Sequence, residues 1–299
     1  MPAAPALPGP LLALESSGRV LGAALWDAGG LRAERRDASG AKHGAALAPL
    51  ARELLSQAGL KPRELGAVAV SLGPGSWTGL RIGLAAAKAL AWGAGVALVG
   101  VPSLEALAWS VFRRHAAASG GGVTLATLRH AYSEGMYAAL FSVTESGPVR
   151  LLEERVGRGP EWAQAFAGAK PDGPLTLCGD ALCLEALAPE ASAAGWSVRA
   201  GSDEVEAPAL AERAWVLAGA GRLWRTPAEI HAAAPLYLRP SDPELNLLRV
   251  RPKTGSRDGF GAPGKRGEAA ERDVSGRAYG EEANDASRSP PSEDGRETF

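Results

Sequence analysis

Val68-Ala69-Val70-Ser71-Leu72-Gly73-Pro74-Gly75-Ser76-Trp77-Thr78-Gly79-Leu80-Arg81-Ile82-Gly83 decides the fold: an apolar run, a Gly/Pro loop, then an alanine-rich run to Trp92. Strand, loop and helix in that order aim a helix N-terminus, with its unpaired N–H groups and partial positive charge, at whatever lies above the loop. A phosphate can bind at such a point. The loop has no Gly-Lys-Ser/Thr ending and its glycines miss the G-x-G-x-x-G spacing, so it is neither a Walker A nor a dinucleotide loop. Pro74 fixes its own φ, while Gly73 and Gly75 open backbone angles closed to other residues. A plain structural turn and a phosphate cradle therefore stand level on the loop alone, with Gly73, Gly75, Ser76 and Thr78 as the candidate phosphate-loop residues.

Outward from the loop, Thr78 reads as an N-cap and the segment to Trp92 as a helix of about four turns, roughly 22 Å long. Gly79 and Gly83 lie four apart and share one face, where another backbone can come close. Two readings follow: packing on the chain's own sheet, or contact with another chain. Only Arg81 and Lys88 carry charge here, and a helix apolar on most sides must be covered on most sides. Part of that cover is expected from a partner.

The chain has 299 residues, 46% of them hydrophobic, enough for about two globular domains. No apolar run reaches the 18 or so residues of a membrane span, and no basic segment precedes the first apolar residues, so the expectation is a cytoplasmic protein. Cys178 and Cys183 are too few for a disulfide framework and read as idle thiols. Basic and acidic residues number 32 and 33, and residues 251 to 299 hold nine and ten of them, which leaves the body neutral. A neutral body argues against strong, independent nucleic-acid binding. The segment from 250 to 299 is rich in Gly, Ser, Pro and mixed charge, has no Leu, Ile or Met after Val250, and reads as a disordered tail.

Strands at Leu11 to Leu14, Val20 to Trp26 and Leu31 to Arg36 form an antiparallel meander with a turn at Glu15-Ser16-Ser17-Gly18. A helix carrying Leu47, Leu50 and Leu54 follows and stops at Gly59, with Pro49 kinking it or marking its start. Then come strand Val68 to Leu72, the loop, the long helix and a strand at Ala97 to Val101, a βββαβαβ order expected of a mixed sheet with helices on its faces. A second start follows: strands Val123 to Leu128, Tyr137 to Val143 and Leu151 to Val156, helix Glu161 to Ala167, strand Leu175 to Cys178 and helix Ala181 to Leu187. Helix Pro208 to Leu223 and strand Leu236 to Leu238 close the body. The expected organisation is a first lobe over 11–108, a second over 109–204, and closing elements over 205–245 whose lobe is not assigned.

Two lobes that each open on a strand hairpin suggest the actin, hexokinase and Hsp70-like architecture, a two-lobed actin-like (ribonuclease H-like) α/β fold. In that superfamily the first turn holds an Asp that works with a divalent metal and phosphate. Here Glu15, Ser16 and Ser17 are the candidate metal and phosphate turn, the carboxylate reaching Mg²⁺ through water. The corresponding second turn, His130 to Gly135, has Glu134 but no Asp. His43, His115, His130 and His231 include no i, i+4 pair, and Gly-x-Ser-x-Gly is absent around Ser76. No catalytic or metal-ligating set emerges.

The loop Gly73 to Gly83, followed by Gly100-Val101-Pro102-Ser103-Leu104-Glu105-Ala106-Leu107-Ala108, resembles the bacterial TsaB (YeaZ) family. Leu12-Ala13-Leu14-Glu15-Ser16-Ser17 is similar to that family's opening strand and Asp-Thr turn, His43 falls where the family has a His before its first helix, and Pro235-Leu236-Tyr237-Leu238-Arg239 is similar to its closing Pro-x-Tyr-Leu-Arg. The resemblance spans about residues 11 to 245, loosely in the second lobe. It implies a non-catalytic, dimerising scaffold that pairs with a TsaD-like catalytic subunit and a TsaE-like ATPase. That complex transfers a threonylcarbamoyl group to adenosine 37 of tRNAs reading codons that begin with A; the tRNA is met only through the complex. The expected partner surface is His43, Leu47, Gly79, Arg81, Gly83 and Lys88, which a homodimer can share. No cofactor of its own is implied, weak Mg-ATP binding being the single nucleotide expectation. Two departures stand out: Glu15 replaces Asp, and His130-Ala131-Tyr132-Ser133-Glu134-Gly135-Met136-Tyr137 replaces Asp-Ala-Arg-Arg-Gly-Glu-Val-Tyr. The alternative from another class is a nucleotide-dependent small-molecule kinase using the Gly73 to Gly79 loop and Glu15 with Mg²⁺; a metallopeptidase is a weaker third, the missing histidine pair counting against it.

Overall fold

The computed structural model describes residues 7–39, 43–115, 121–131, 135–171, 173–201 and 204–238, with the side chains of 43–45 also outside the description. The expectation of a disordered tail over 250–299 lies outside the described residues, as do Glu134 and Arg239. Strands β1 (Leu11–Glu15), β2 (Leu21–Asp27) and β3 (Gly30–Asp37) are followed by α1 (His43–Gln57), β4 (Ala67–Gly73), α2 (Trp77–Ala94) and β5 (Ala97–Pro102). After α3 (Ser103–His115) come β6 (Val123–His130), β7 (Met136–Thr144), β8 (Gly147–Gly157), α4 (Gly159–Ala169) and β9 (Leu175–Gly179). Then follow α5 (Ala181–Ala186), α6 (Ala188–Ala194), β10 (Ser197–Arg199), α7 (Ala207–Gly219) and α8 (Pro227–Ala232).

The strands form two five-stranded sheets, ordered β3-β2-β1-β4-β5 and β8-β7-β6-β9-β10. Each begins with an antiparallel meander, whose first strand then pairs in parallel with the strand after the first helix; the second sheet repeats the first. β1 sits centrally, and its five residues are all buried, because a strand covered on both faces has no solvent side for polar residues. β3, at an edge, is charged and mostly exposed, which blunts pairing with other chains. This is the two-lobed actin-like α/β fold.

Helices α1 and α2 cover one face of the first sheet through a core of Leu12, Leu14, Leu47, Leu54, Val68 and Leu98. Its other face receives α7, and α3 lies between α7 and the second sheet, so that one apolar cluster draws on both sheets through these two helices. Helices α4, α5 and α6 close the far face of the second sheet around Trp162 and Phe166. α3 spans residues 108 and 109, and α7, the closing helix, packs on the first sheet.

Of the two places open to Pro49, the structure puts it inside α1, in the second turn, and not at the start. Three local expectations change. Ser76, not Thr78, caps α2: the Ser76 hydroxyl accepts the Gly79 N–H at 3.2 Å, and Thr78 is exposed on the first turn. α2 runs beyond Trp92 through Gly93 to stop at Gly95, whose φ of 70° is the left-handed C-cap that glycine supplies. The strand expected at Leu236 to Leu238 does not form; its one backbone bond to the sheet is Leu236 N–H to the Leu72 carbonyl, 2.8 Å. No helix among the described residues is long and apolar enough to cross a membrane.

Candidate functional site

At the carboxyl ends of β1, β4 and β6 the two lobes face each other across a cleft of about 440 Å³. This is where ligands bind in open α/β sheets. Of the expected residues, Ser17, Gly75 and Ser76 line it; Glu15, Ser16, Gly73 and Thr78 do not. Arg129, His130 and Asp180 line it from the second lobe.

Glu15 is 1% exposed, and both of its oxygens accept hydrogen bonds from the chain. Oε1 takes the Ser17 N–H at 2.6 Å and the Ser17 hydroxyl at 2.5 Å, and Oε2 takes the Ser71 hydroxyl. Burial raises its carboxyl above the usual range, against the lowering pull of those bonds and of the Arg129 charge. The longer Glu side chain thus reaches the neighbouring strand instead of pointing into the cleft. A buried carboxyl whose oxygens are already engaged does not fit Mg²⁺, which keeps most of its waters and wants an accessible anionic oxygen. The metal role expected of Glu15, Ser16 and Ser17 is corrected accordingly: the Ser16 hydroxyl donates to the Gly79 carbonyl at 2.9 Å and the Ser17 hydroxyl to Glu15.

The loop is equally engaged. Gly73 has a φ of 110°, open to glycine and strained for other residues, and its N–H donates to the Ser103 hydroxyl at 3.0 Å. The Ser76 N–H donates to the Ser17 carbonyl at 2.8 Å. In the second lobe the His130 N–H donates to Asp180 Oδ2 at 2.7 Å. Both cysteines are buried, and burial pushes each thiol up to about 12, so neither supplies a thiolate at neutral pH.

The residues expected at a partner surface differ in their surroundings. Leu47 is 1% exposed and belongs to the core. Gly79 and Gly83 face inward: a side chain on either would collide with Ser16, the first with its carbonyl oxygen and the second with its hydroxyl. Arg81 lies over the Trp77 ring at 4.2 Å and donates to the Tyr237 hydroxyl at 3.0 Å, while Tyr237 stacks on Trp77 with 4.2 Å between centroids. Lys88 donates to the His231 carbonyl at 2.7 Å. His43 opens α1, and its side chain lies outside the description. An apolar groove of about 540 Å³ opens between α1 and α2, lined by Ala48, Ala51, Leu55, Ala86, Ala89 and Leu90. Ala89 also borders a second groove, of about 430 Å³, toward α8, beside Trp92, which is 70% exposed.

Arg129, Asp180 and Glu204 were not anticipated in the cleft. Two of them left a signal: Arg129 follows directly on the strand run expected over Val123 to Leu128, and Asp180 follows directly on a strand that ends in glycine. Glu204, in a loop, left none.

The family model described as TsaD, tRNA N6-adenosine threonylcarbamoyltransferase, matches residues 37–128. The chain is 37% identical over 98 residues to the Bacillus subtilis tRNA threonylcarbamoyladenosine biosynthesis protein TsaB, covering 33% of this chain and 43% of that one. It is 31% identical over 107 residues to the Escherichia coli TsaB, covering 36% and 46%. YeaZ from Pseudomonas aeruginosa superimposes with a TM-score of 0.60 at 21% identity, covering 77% of this chain and 100% of that one. Part of the sequence is thus similar to TsaB proteins, and the fold is that of YeaZ. The chain spans less than half the length of those curated TsaB relatives, whereas the YeaZ likeness in fold covers 77% of this chain. A tRNA N6-adenosine threonylcarbamoyltransferase from Sorangium cellulosum is 45% identical over 76 residues, covering 25% of this chain and 21% of that one.

Proposed function

We propose that the chain works in tRNA threonylcarbamoyladenosine biosynthesis, in the cytoplasm, as a non-catalytic scaffold. It docks a TsaD-like catalytic subunit through the α1/α2 face and, with a TsaE-like ATPase, supports transfer of a threonylcarbamoyl group to adenosine 37 of tRNAs reading codons that begin with A. The observation that carries the reading is the apolar groove between α1 and α2, open within the stretch, residues 37–128, that the TsaD family model matches. A lobe of related fold on the partner offers a similar helix pair, and burying such faces against each other is the ordinary way in which related subunits associate. The scaffold role is favoured by Glu15, whose engaged, buried carboxyl leaves the first turn without a metal ligand. Self-association through the same groove is the expected state of the lone chain.

Reconstitution tests the proposal. Ala89→Glu, at an exposed groove position, is expected to abolish copurification with a TsaD-like subunit and stimulation of tRNA modification while leaving the thermal midpoint unchanged. Modification that proceeds equally well without this chain sinks the idea. The kinase alternative is separated by calorimetry: the scaffold reading expects no Mg-ATP binding in the micromolar range and no phosphoryl transfer by the lone chain.

A further inference from the structure

The apolar cluster around α3 and α7 is not the only junction between the two sheets. A second, polar junction lies at the cleft. Arg129, near the end of β6, is 5% exposed and its Nη1 donates to the Ser17 carbonyl at 2.8 Å. The same carbonyl accepts the Ser76 N–H, also at 2.8 Å. One oxygen in the β1–β2 turn therefore holds the second sheet by a charged donor and the β4–α2 loop by a neutral one. Behind it, Ser17 is anchored through its N–H and its hydroxyl on Glu15, and Glu15 on Ser71 of β4. Gly75 makes the approach feasible, because a Cβ there would fall 2.5 Å from the Ser17 oxygen and 3.2 Å from Arg129 Nη1. A buried guanidinium is costly unless hydrogen-bonded, and a charge-assisted bond is roughly twice as strong as a neutral one.

We propose that Arg129 is a positioning residue that pins the second sheet to the Ser17 carbonyl, holding the β1–β2 turn and the Gly75-Ser76 loop in register across the cleft. The loop then owes its conformation to a cation from the other lobe, not only to its own glycines and proline. The inference is independent of the proposed partner and of tRNA.

Hydrogen exchange on the full chain tests it. Arg129→Met, which keeps the bulk and removes the donor, is expected to speed exchange by about tenfold or more over residues 15–19 and 74–80 while β7 keeps its parental protection. Arg129→Lys, which retains one charged donor, is expected between the two. Unchanged exchange in the turn and loop, a uniform rise throughout the chain, or an R129K no different from R129M overturns the pin; the uniform rise is what a merely structural role produces. Where Arg129→Met fails to fold, Gly75→Ala decides. Its methyl group would press on both the Ser17 oxygen and Arg129 Nη1 while leaving the charge on the chain, and the same local rise is expected, with parental protection or a uniform rise overturning the proposal.

Discussion

The carboxyl of Glu15 meets three donors and almost no solvent. Because burial raises its pKa above the ordinary value of 4.5, the folded chain holds this proton over an interval in which the unfolded chain has released it. Stability from this group is therefore greatest at and below the unfolded value, falls as pH rises through the interval up to the folded pKa, and stays at the lower level above it. Glu15→Gln, which cannot ionise, is expected to remove that fall: urea midpoints of parent and variant should converge near pH 4.5 and separate in the variant's favour by pH 8. Parallel curves would contradict the assignment. Glu15→Ala is expected to cost about 1–3 kcal/mol at either pH, since it strands buried donors. The position of this turn was legible from the Leu-Glu-Ser-Ser run after an apolar strand. Its chemistry was not, because the direction of a side chain with one extra methylene depends on a serine 56 residues away in the chain.

At the scale of elements, α2 shows what a spacing rule contains and what it omits. Gly79 and Gly83, four apart, correctly mark a face where backbones come close. The rule is silent on which backbone, and the answer is the chain's own β1–β2 turn. Gly79→Ala is accordingly expected to destabilise the fold by about 1–3 kcal/mol, read from denaturant unfolding of the lone chain, because its methyl group would press on the Ser16 carbonyl, which a side-chain rotation cannot relieve. Stability equal to the parent's would return this face to the candidates for partner contact. α3 was not anticipated at all. All residues from Ser103 to Phe112 are buried, the polar Ser103, Glu105 and Ser110 among them, so this helix turns polar residues inward where a sequence pattern would place them outside. Strands that run apolar over five to seven residues, such as β1, β2 and β4, were legible nearly to their ends; β8 begins four residues before its expected start, and the three-residue β10 was too short to leave a pattern.

For the molecule as a whole, the repeated βββαβ order is visible in sequence, but the joining of its copies is not. That joining uses a charge: Arg213 of α7 donates to Glu105 of α3 at 2.6 Å, and Arg150 of β8 reaches the other oxygen at 3.2 Å. Arg213→Met should cost about 3–5 kcal/mol, because it leaves a buried carboxylate with half of its partners. Since α3 and α7 share one core with both sheets, the loss should appear as a shift of a single unfolding transition, followed by calorimetry and by tryptophan fluorescence together. Two separated transitions would mean that the lobes unfold independently.

The placement of α7 also bears on how the chain is made. The first sheet is complete once β5 has been synthesised, yet one of its faces is covered by α7, which comes after every strand of the second sheet. During translation the first lobe therefore waits, half-dressed, with an apolar face exposed beyond the ribosome until the last long helix of the fold emerges.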